Sequence, residues 1–367
     1  MVSKQLRLTT FILLAVSGMM FVIGLFPNVV LQYYSKGFYP VVSVVLRWIS
    51  SWFPFALGDI LYGILIIFGL IKLFFFCKKL RPKANRRVLL MGAPLRLLNL
   101  ILILYISFKL LWGLNYARPS ISKQLYISDE KYTVKELVLL TNYFADRLNT
   151  LQQIAENKPR AIKQLQEQAV LAYGQLAQKN AFFSYPAPSV KPVLNSWTIC
   201  KIGIEGYYNP LSGEANINTK LPAWVLPFVT CHEISHQLGV AREDEANLVA
   251  YLVGSHSNDV DLQYAVYYSM LRYLLFELRF KSPEDYVALR NKIDPRIIAN
   301  FKAENEFWRK YNGQMSNYMG VAFDKFLKLN NQQRGIKSYQ NIVIWLWNIH
   351  KKQLTTRTNQ PTNQPTN

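Results

Sequence analysis

The sequence predicts an α+β chain that is predominantly helical, with three N-terminal transmembrane helices followed by a mostly helical part carrying a small sheet. Three observations predict this. Long apolar runs are confined to the first third of the 367 residues. The charge is unevenly divided between that third and the remainder. Beyond residue 115 apolar positions recur at helical spacing, except in one stretch of Val, Ile, Pro, Ser and Gly at 186–217 with the texture of short strands.

Charged residues make up 17% of the chain and apolar residues 51%, against about 25% charged in ordinary soluble domains. That excludes a disordered or fibrous chain. The net charge is +20. Residues 1–114 hold 13 Lys/Arg and one acid, Asp59, so most of the excess lies in the apolar third. Anionic lipid is therefore a better partner than nucleic acid, for which no sequence signature is present. Cys77, Cys200 and Cys231 form neither a disulfide framework nor a paired metal motif. Cys200 and Cys231 read as small buried residues, with a disulfide between them as the alternative.

The division expected is a membrane domain over 1–114, with spans at about 8–27, 54–76 and 95–114, a second domain over 115–352, and a disordered Thr-Asn-Gln-Pro tail over 353–367. Each is long enough for a helix to cross the hydrocarbon core, which takes about 20 residues. The first is an uncleaved span rather than a signal peptide, because two more spans follow and no small-residue cleavage site does. Residues 41–52, with Arg47 among apolar neighbours, are too short to span and are expected along the interface. The connection after the second span carries Lys78, Lys79, Arg81, Lys83, Arg86, Arg87 and Arg96 and no acid, whereas the first holds only Lys36 and Arg47. The positive-inside rule puts the former in the cytoplasm. The chain is then a multi-pass protein of the cytoplasmic (inner) membrane, with its C-terminal domain extracytoplasmic, that is, periplasmic where a second membrane exists.

Helices are expected at 133–154 and 161–178, paired as a hairpin broken at 157–159, then short strands through 190–204 and at 212–218. Helical spacing returns at 224–238, stopping at Gly239, and continues from Glu243, at 262–279, at 283–291 after the cap Ser282, at 295–311, at 318–329 and at 338–349. Trp345 and Trp347 make the last helix apolar enough for the core or the membrane surface.

The stretch that carries chemistry is Cys231-His-Glu-Ile-Ser-His-Gln-Leu-Gly239. His232 and His236, four apart on a helix, share one face and can grip one metal ion. Glu233 beside them can act as general base toward water. Zn2+ suits two imidazole ligands. The following Ala241-Arg-Glu-Asp-Glu-Ala-Asn247 offers Glu243 as third ligand, with Glu245 as the alternative, and Asn247 as a hydrogen-bond partner that fixes an imidazole tautomer. Arg242 occupies the position where a third histidine would make a metzincin.

These residues resemble the gluzincin branch of zinc metallopeptidases, with a spacing from His236 to Glu243 closer than in most of them. More closely, the chain is similar to the bacterial membrane family DUF3810 in the peptidase MA grouping. The features that carry this are the three spans, Gly113-Leu-Asn-Tyr-Ala-Arg118, Gly206-Tyr-Tyr-Asn-Pro, Gly213-Glu-Ala-Asn-Ile-Asn218, the two segments quoted above and Gly335-Ile-Lys-Ser-Tyr339. The resemblance implies a zincin-like domain, a zinc-dependent peptidase acting on a protein or peptide substrate, and an edge strand at 213–218 that pairs with that substrate. A second group facing the oxyanion would come from His256, Tyr318 or Tyr339. The function expected is thus a membrane-anchored zinc metallopeptidase, with a non-catalytic protein carrying a structural zinc or a peptidase-like binding domain as the alternative.

Overall fold

A computed structural model of the chain describes residues 3–311, 313–330 and 341–358. The chain is predominantly helical. Three of its helices, α1 (Lys4–Gly24), α4 (Leu57–Lys79) and α5 (Lys83–Leu111), contain stretches long and apolar enough to cross a membrane, as expected. Ser3 caps α1 by accepting from Leu6 N–H at 3.2 Å. The membrane-length part of α5 is Leu89–Leu111, so the basic connection continues into the same helix. α1 packs along α5.

Between α1 and α4 lie a turn, α2 (Pro27–Val29), a π-helical stretch Val30–Phe38, and α3 (Tyr39–Ser51). α3 is built inside out. Tyr39, Ser43, Arg47 and Ser50 are buried on one face, whereas Val41, Val45, Trp48, Ile49 and Trp52 point outward. The 3.6-residue repeat separates the two sets cleanly. The polar face packs on the rest of the protein and the apolar face is left outside.

After α5 come a 3-10 turn, Gly113–Ala117, α6 (Ile121–Gln124), α7 (Val134–Gln152) and α8 (Ile162–Ala177). Thr133 and Glu136 close a capping box at the start of α7. The buried face of α7 carries Leu137, Leu140, Phe144 and Leu148, each contributing about 1.5–3 kcal/mol on burial. The expected hairpin of these two helices does not form. α7 packs on α12 (Val260–Lys281) and α8 on α10 (Leu226–Gln237), because each offers its apolar stripe to the central core rather than to its sequence neighbour.

The strand region is smaller than expected. β1 (Val190–Pro192) is followed by α9 (Ser196–Lys201), where strands were expected. Asn195 accepts from Thr198 N–H at 3.1 Å and starts this helical turn, overriding the β-branched neighbours. β2 (Gly206–Asn209) and β3 (Glu214–Ile217) complete a sheet of order β1-β3-β2, parallel between β1 and β3 and antiparallel between β2 and β3. The turn joining β2 to β3 uses Gly213 at φ +71°. The strand expected at an edge, 213–218, is central: β3 pairs on both sides, and β2 takes the edge. Ala215 and Ile217 face the core, whereas Glu214 and Asn216 face the opposite side.

Gly239 (φ +81°) turns the chain just past the end of α10, and α11 (Glu243–Ser255), α12, α13 (Pro283–Arg290), α14 (Pro295–Tyr311), α15 (Gln314–Leu329) and α16 (Asn341–Thr358) follow. α12 packs on α7, α10, α11 and α13, and α16 closes over α7 and α11. Trp345 and Trp347 are core residues, and Trp345 Nε1 donates to Asp129 at 2.8 Å. α16 runs on through Thr358; residues 359–367 of the expected tail lie outside the described residues. Cys200 and Cys231 are buried free thiols.

Candidate metal centre

α10 brings two histidines onto one face by its period alone. His232 Nε2 and His236 Nε2 stand 3.2 Å apart. The third member comes from the first turn of α11: Glu243 Oε2 lies 3.2 Å from His232 Nε2 and 3.7 Å from His236 Nε2. The other ring nitrogens are already engaged. His232 Nδ1 is 2.9 Å from Asn247 Oδ1, and His236 Nδ1 is 2.6 Å from the Val240 carbonyl. Each Nδ1 therefore donates, and each Nε2 lone pair is turned inward. Asn247 in turn donates from Nδ2 to Tyr273 Oη at 3.2 Å, which orients its amide.

Three electron-pair donors converge in this way on one point. Ligand atoms held about 2.1 Å from a common ion at tetrahedral angles would stand about 3.4 Å apart, and the observed separations bracket that value. The donor set therefore fits a divalent cation, with His232, His236 and Glu243 able to hold it. Without a cation the cluster repels itself unless protons enter it. Burial works to raise the Glu243 carboxyl, but the two histidines outweigh it and hold that group well below the usual carboxylate range.

Glu245 does not join the cluster. It lies two positions from Glu243, about 200° around α11, and its carboxylate pairs with Arg242 Nη1 at 3.2 Å. Burial lifts that carboxyl to about 7 against the pull of Arg242 and Arg118.

Glu233 stands on the same turn as the histidines. It is buried, and its Oε2 lacks a protein hydrogen-bond partner among the described residues. Burial pushes its carboxyl up to about 7, opposed by the two histidines and reinforced by Glu243 and Glu205. The edge strand β2 runs directly past it. A Cβ on Gly206 would lie 2.8 Å from Glu233 Oε1 and 2.8 Å from the Asn216 carbonyl, so only glycine lets the strand pass this close.

The last turn of α10 is held from the membrane side. The Tyr39 hydroxyl lies 3.2 Å from the His236 carbonyl and 3.0 Å from that of Gln237, Ser43 Oγ donates to the latter at 2.9 Å, and Trp112 Nε1 donates to the former at 3.3 Å. These donors satisfy carbonyls that every helix end leaves open. They come from α3 and from the exit of α5, and they tie the histidine-bearing helix to the membrane segments. Gln237 extends the tie to the sheet, donating to the Ser189 and Gly213 carbonyls at 2.9 and 2.6 Å.

Of the three residues considered for a second group at the site, His256 caps the far end of α11, about 20 Å from Glu243 by helical rise, and bonds the Leu252 carbonyl. Tyr318 is exposed on α15. Tyr339, with the rest of the Gly335–Tyr339 motif, lies outside the described residues. Residues that spacing did not reveal are Glu205, Arg272 and Tyr273. Arg272 pairs with Glu304 and reaches Glu205 at 4.0 Å. Arg272 and Tyr273 meet the site through the packing of α12, and Glu205 through the entry to β2, which no local pattern announces.

The family described as "Protein of unknown function (DUF3810)" matches residues 34–347. The chain belongs to that family. No curated protein and no solved structure matches it.

Proposed function

We propose that this DUF3810 member is a membrane-anchored zinc metallopeptidase with a zincin-like domain over 115–352, anchored by residues 1–114 in the cytoplasmic membrane and acting on protein or peptide substrates on its extracytoplasmic side. The observation that carries this reading is Glu233. A buried carboxylate with an unpartnered oxygen is costly, and this one stands on the same helical turn as two of the three converging ligands. A purely structural metal site has no use for it.

His232, His236 and Glu243 would hold Zn2+, which when bound lowers the pKa of water and polarises a carbonyl. Asn247 and the Val240 carbonyl keep both imidazoles in the tautomer that leaves Nε2 free. Glu233 takes the proton from the water that attacks the scissile carbonyl carbon. It then delivers that proton to the amine nitrogen as the C–N bond breaks. A carboxyl lifted by burial is suited to both halves of this exchange. The outer side of β2 takes over the role first assigned to 213–218: an extended substrate adds to the sheet there, next to Glu233. The basic connection between α4 and α5 sets the orientation.

Glu233→Gln tests the reading. The variant should keep zinc and lose hydrolysis of a peptide library by the full chain in nanodiscs, with cleavage read by mass spectrometry. Hydrolysis at the wild-type rate by this variant would contradict it.

A further inference from the structure

α15 is an amphipathic helix whose apolar side is left uncovered. Met315, Tyr318, Phe326 and Leu329 follow helical spacing, and Tyr318 and Leu329 are 69% and 84% exposed. Asn317, Asp324 and Lys328 form the other side, with Asp324 and Lys328 paired at 2.6 Å. In water such a face is a liability.

Its position says what covers it. At one end Asn330 Oδ1 accepts from Lys109 Nζ at 3.2 Å, and Phe326 packs on Phe108 and Tyr116 with ring centroids 5.9 and 6.1 Å apart. Phe108 and Lys109 are in the last turn of the third membrane-length helix, so α15 starts from the level where that helix leaves the apolar layer. At its other end Ser316 lies against Gly203, in the loop that leads to Glu205 and the edge strand. Sixteen residues give a bar about 24 Å long between the end of that span and the rim of the metal centre.

Two further surfaces reach the same level. The apolar side of α3 presents Trp48 and Trp52, while its polar side holds the histidine-bearing helix. Leu194 N–H donates to Asp59 at the start of the second membrane-length helix, at 3.1 Å, and Leu194 and the nearby Trp197 are both exposed. Tryptophan and tyrosine at the ends of spans are the residues that favour a membrane–water interface.

We infer that α15 lies in the interfacial layer of the lipid bilayer and, together with α3 and the 194–197 segment, seats the metal centre at the membrane surface. The occupant of the uncovered face is lipid, because α15 packs through Phe326 on Phe108 in the last turn of α5, beside the outward-facing Ile103, Leu104 and Leu110 of that membrane-length helix. The inference rests on the placement of helices and holds whether or not the chain is a peptidase.

The test uses the full chain with Cys77→Ser, in phosphatidylcholine nanodiscs with and without phosphatidylcholine spin-labelled near the head of one acyl chain. A fluorophore is placed on Tyr318→Cys, Leu329→Cys or Asn317→Cys. Loss of fluorescence at 318 and 329, but not at 317, is expected, and His232→Ala should leave this pattern unchanged. Equal quenching at all three positions would overturn the inference. So would protection of 318 and 329 combined with disulfide cross-linking of two copies through Leu329→Cys, since a second copy would then be the occupant. Met315→Cys reports on the same face should Leu329→Cys fail to fold.

Discussion

Asn247 Oδ1 lies 2.9 Å from His232 Nδ1, and this single contact decides which nitrogen of His232 faces Glu243. The two residues sit on successive helices, so the tautomer is fixed by the packing of α11 on α10. Asn247→Ala removes the acceptor while leaving all three candidate ligands. Zinc affinity should fall roughly 10–100-fold, measured by competition with a chromophoric chelator. An unchanged affinity would show that Asn247 does not orient the ring.

Gly206 makes a complementary prediction. A methyl group there meets Glu233 and the Asn216 carbonyl at 2.8 Å, so β2 or the carboxylate must move. Gly206→Ala should retain zinc and lose most hydrolytic activity, with zinc content and peptide cleavage measured on the same sample. A 1 Å misplacement of a reacting group costs about a hundredfold in rate.

The membrane-side clamp on α10 has its own energetics. Tyr39→Phe and Ser43→Ala each remove a hydroxyl that bonds the last carbonyls of the histidine helix. Each should lower stability by about 1 kcal/mol. Hydrogen exchange should rise first at the C-terminal turn of α10 and not in α7, which packs on α12 and α16.

Acid should loosen the other side of the core. His350 Nε2 and the Tyr251 hydroxyl share a hydrogen bond at 2.6 Å, and burial pulls the pKa of His350 down to about 4, with His256 adding to the effect and Gln353 opposing it. The unfolded chain takes up that proton near pH 6.5 and the folded chain only near 4. The contribution of this neutral histidine is therefore fully present above about pH 6.5 and is lost as pH falls from there toward 4, by on the order of 3 kcal/mol. His350→Gln, which keeps an acceptor but cannot titrate in this range, should flatten that part of the profile in thermal unfolding at pH 4 to 7. The difference between wild type and variant isolates the one group from the other carboxylates and histidines.

How much of this was legible follows from the range of each signal. The three apolar helices and the pair His232 and His236 depend on composition and on the helical repeat, which are local. The choice of Glu243 over Glu245 is also local once α11 is known to begin at 243, because two residues two apart on a helix face different ways. The inside-out α3 left a trace too: Tyr39, Ser43, Arg47 and Ser50 keep helical spacing within an otherwise apolar stretch. By contrast, the α9 turn depended on one capping side chain, Asn195, set against β-branched neighbours. The sheet order, the passage of Gly206 beside Glu233 and the approach of Arg272 and Tyr273 depend on contacts between residues tens of positions apart. So does the parting of α7 from α8. Periodicity says that a helix has a buried face but not which partner buries it.

Zinc content of the purified full chain, measured by mass spectrometry beside His232→Ala, Glu243→Ala and Glu245→Ala, tests the central claim most directly. About one zinc per wild-type chain, lost in the first two variants and kept in the third, is the predicted result. Zinc that persists in both His232→Ala and Glu243→Ala, or that disappears only in Glu245→Ala, would contradict it.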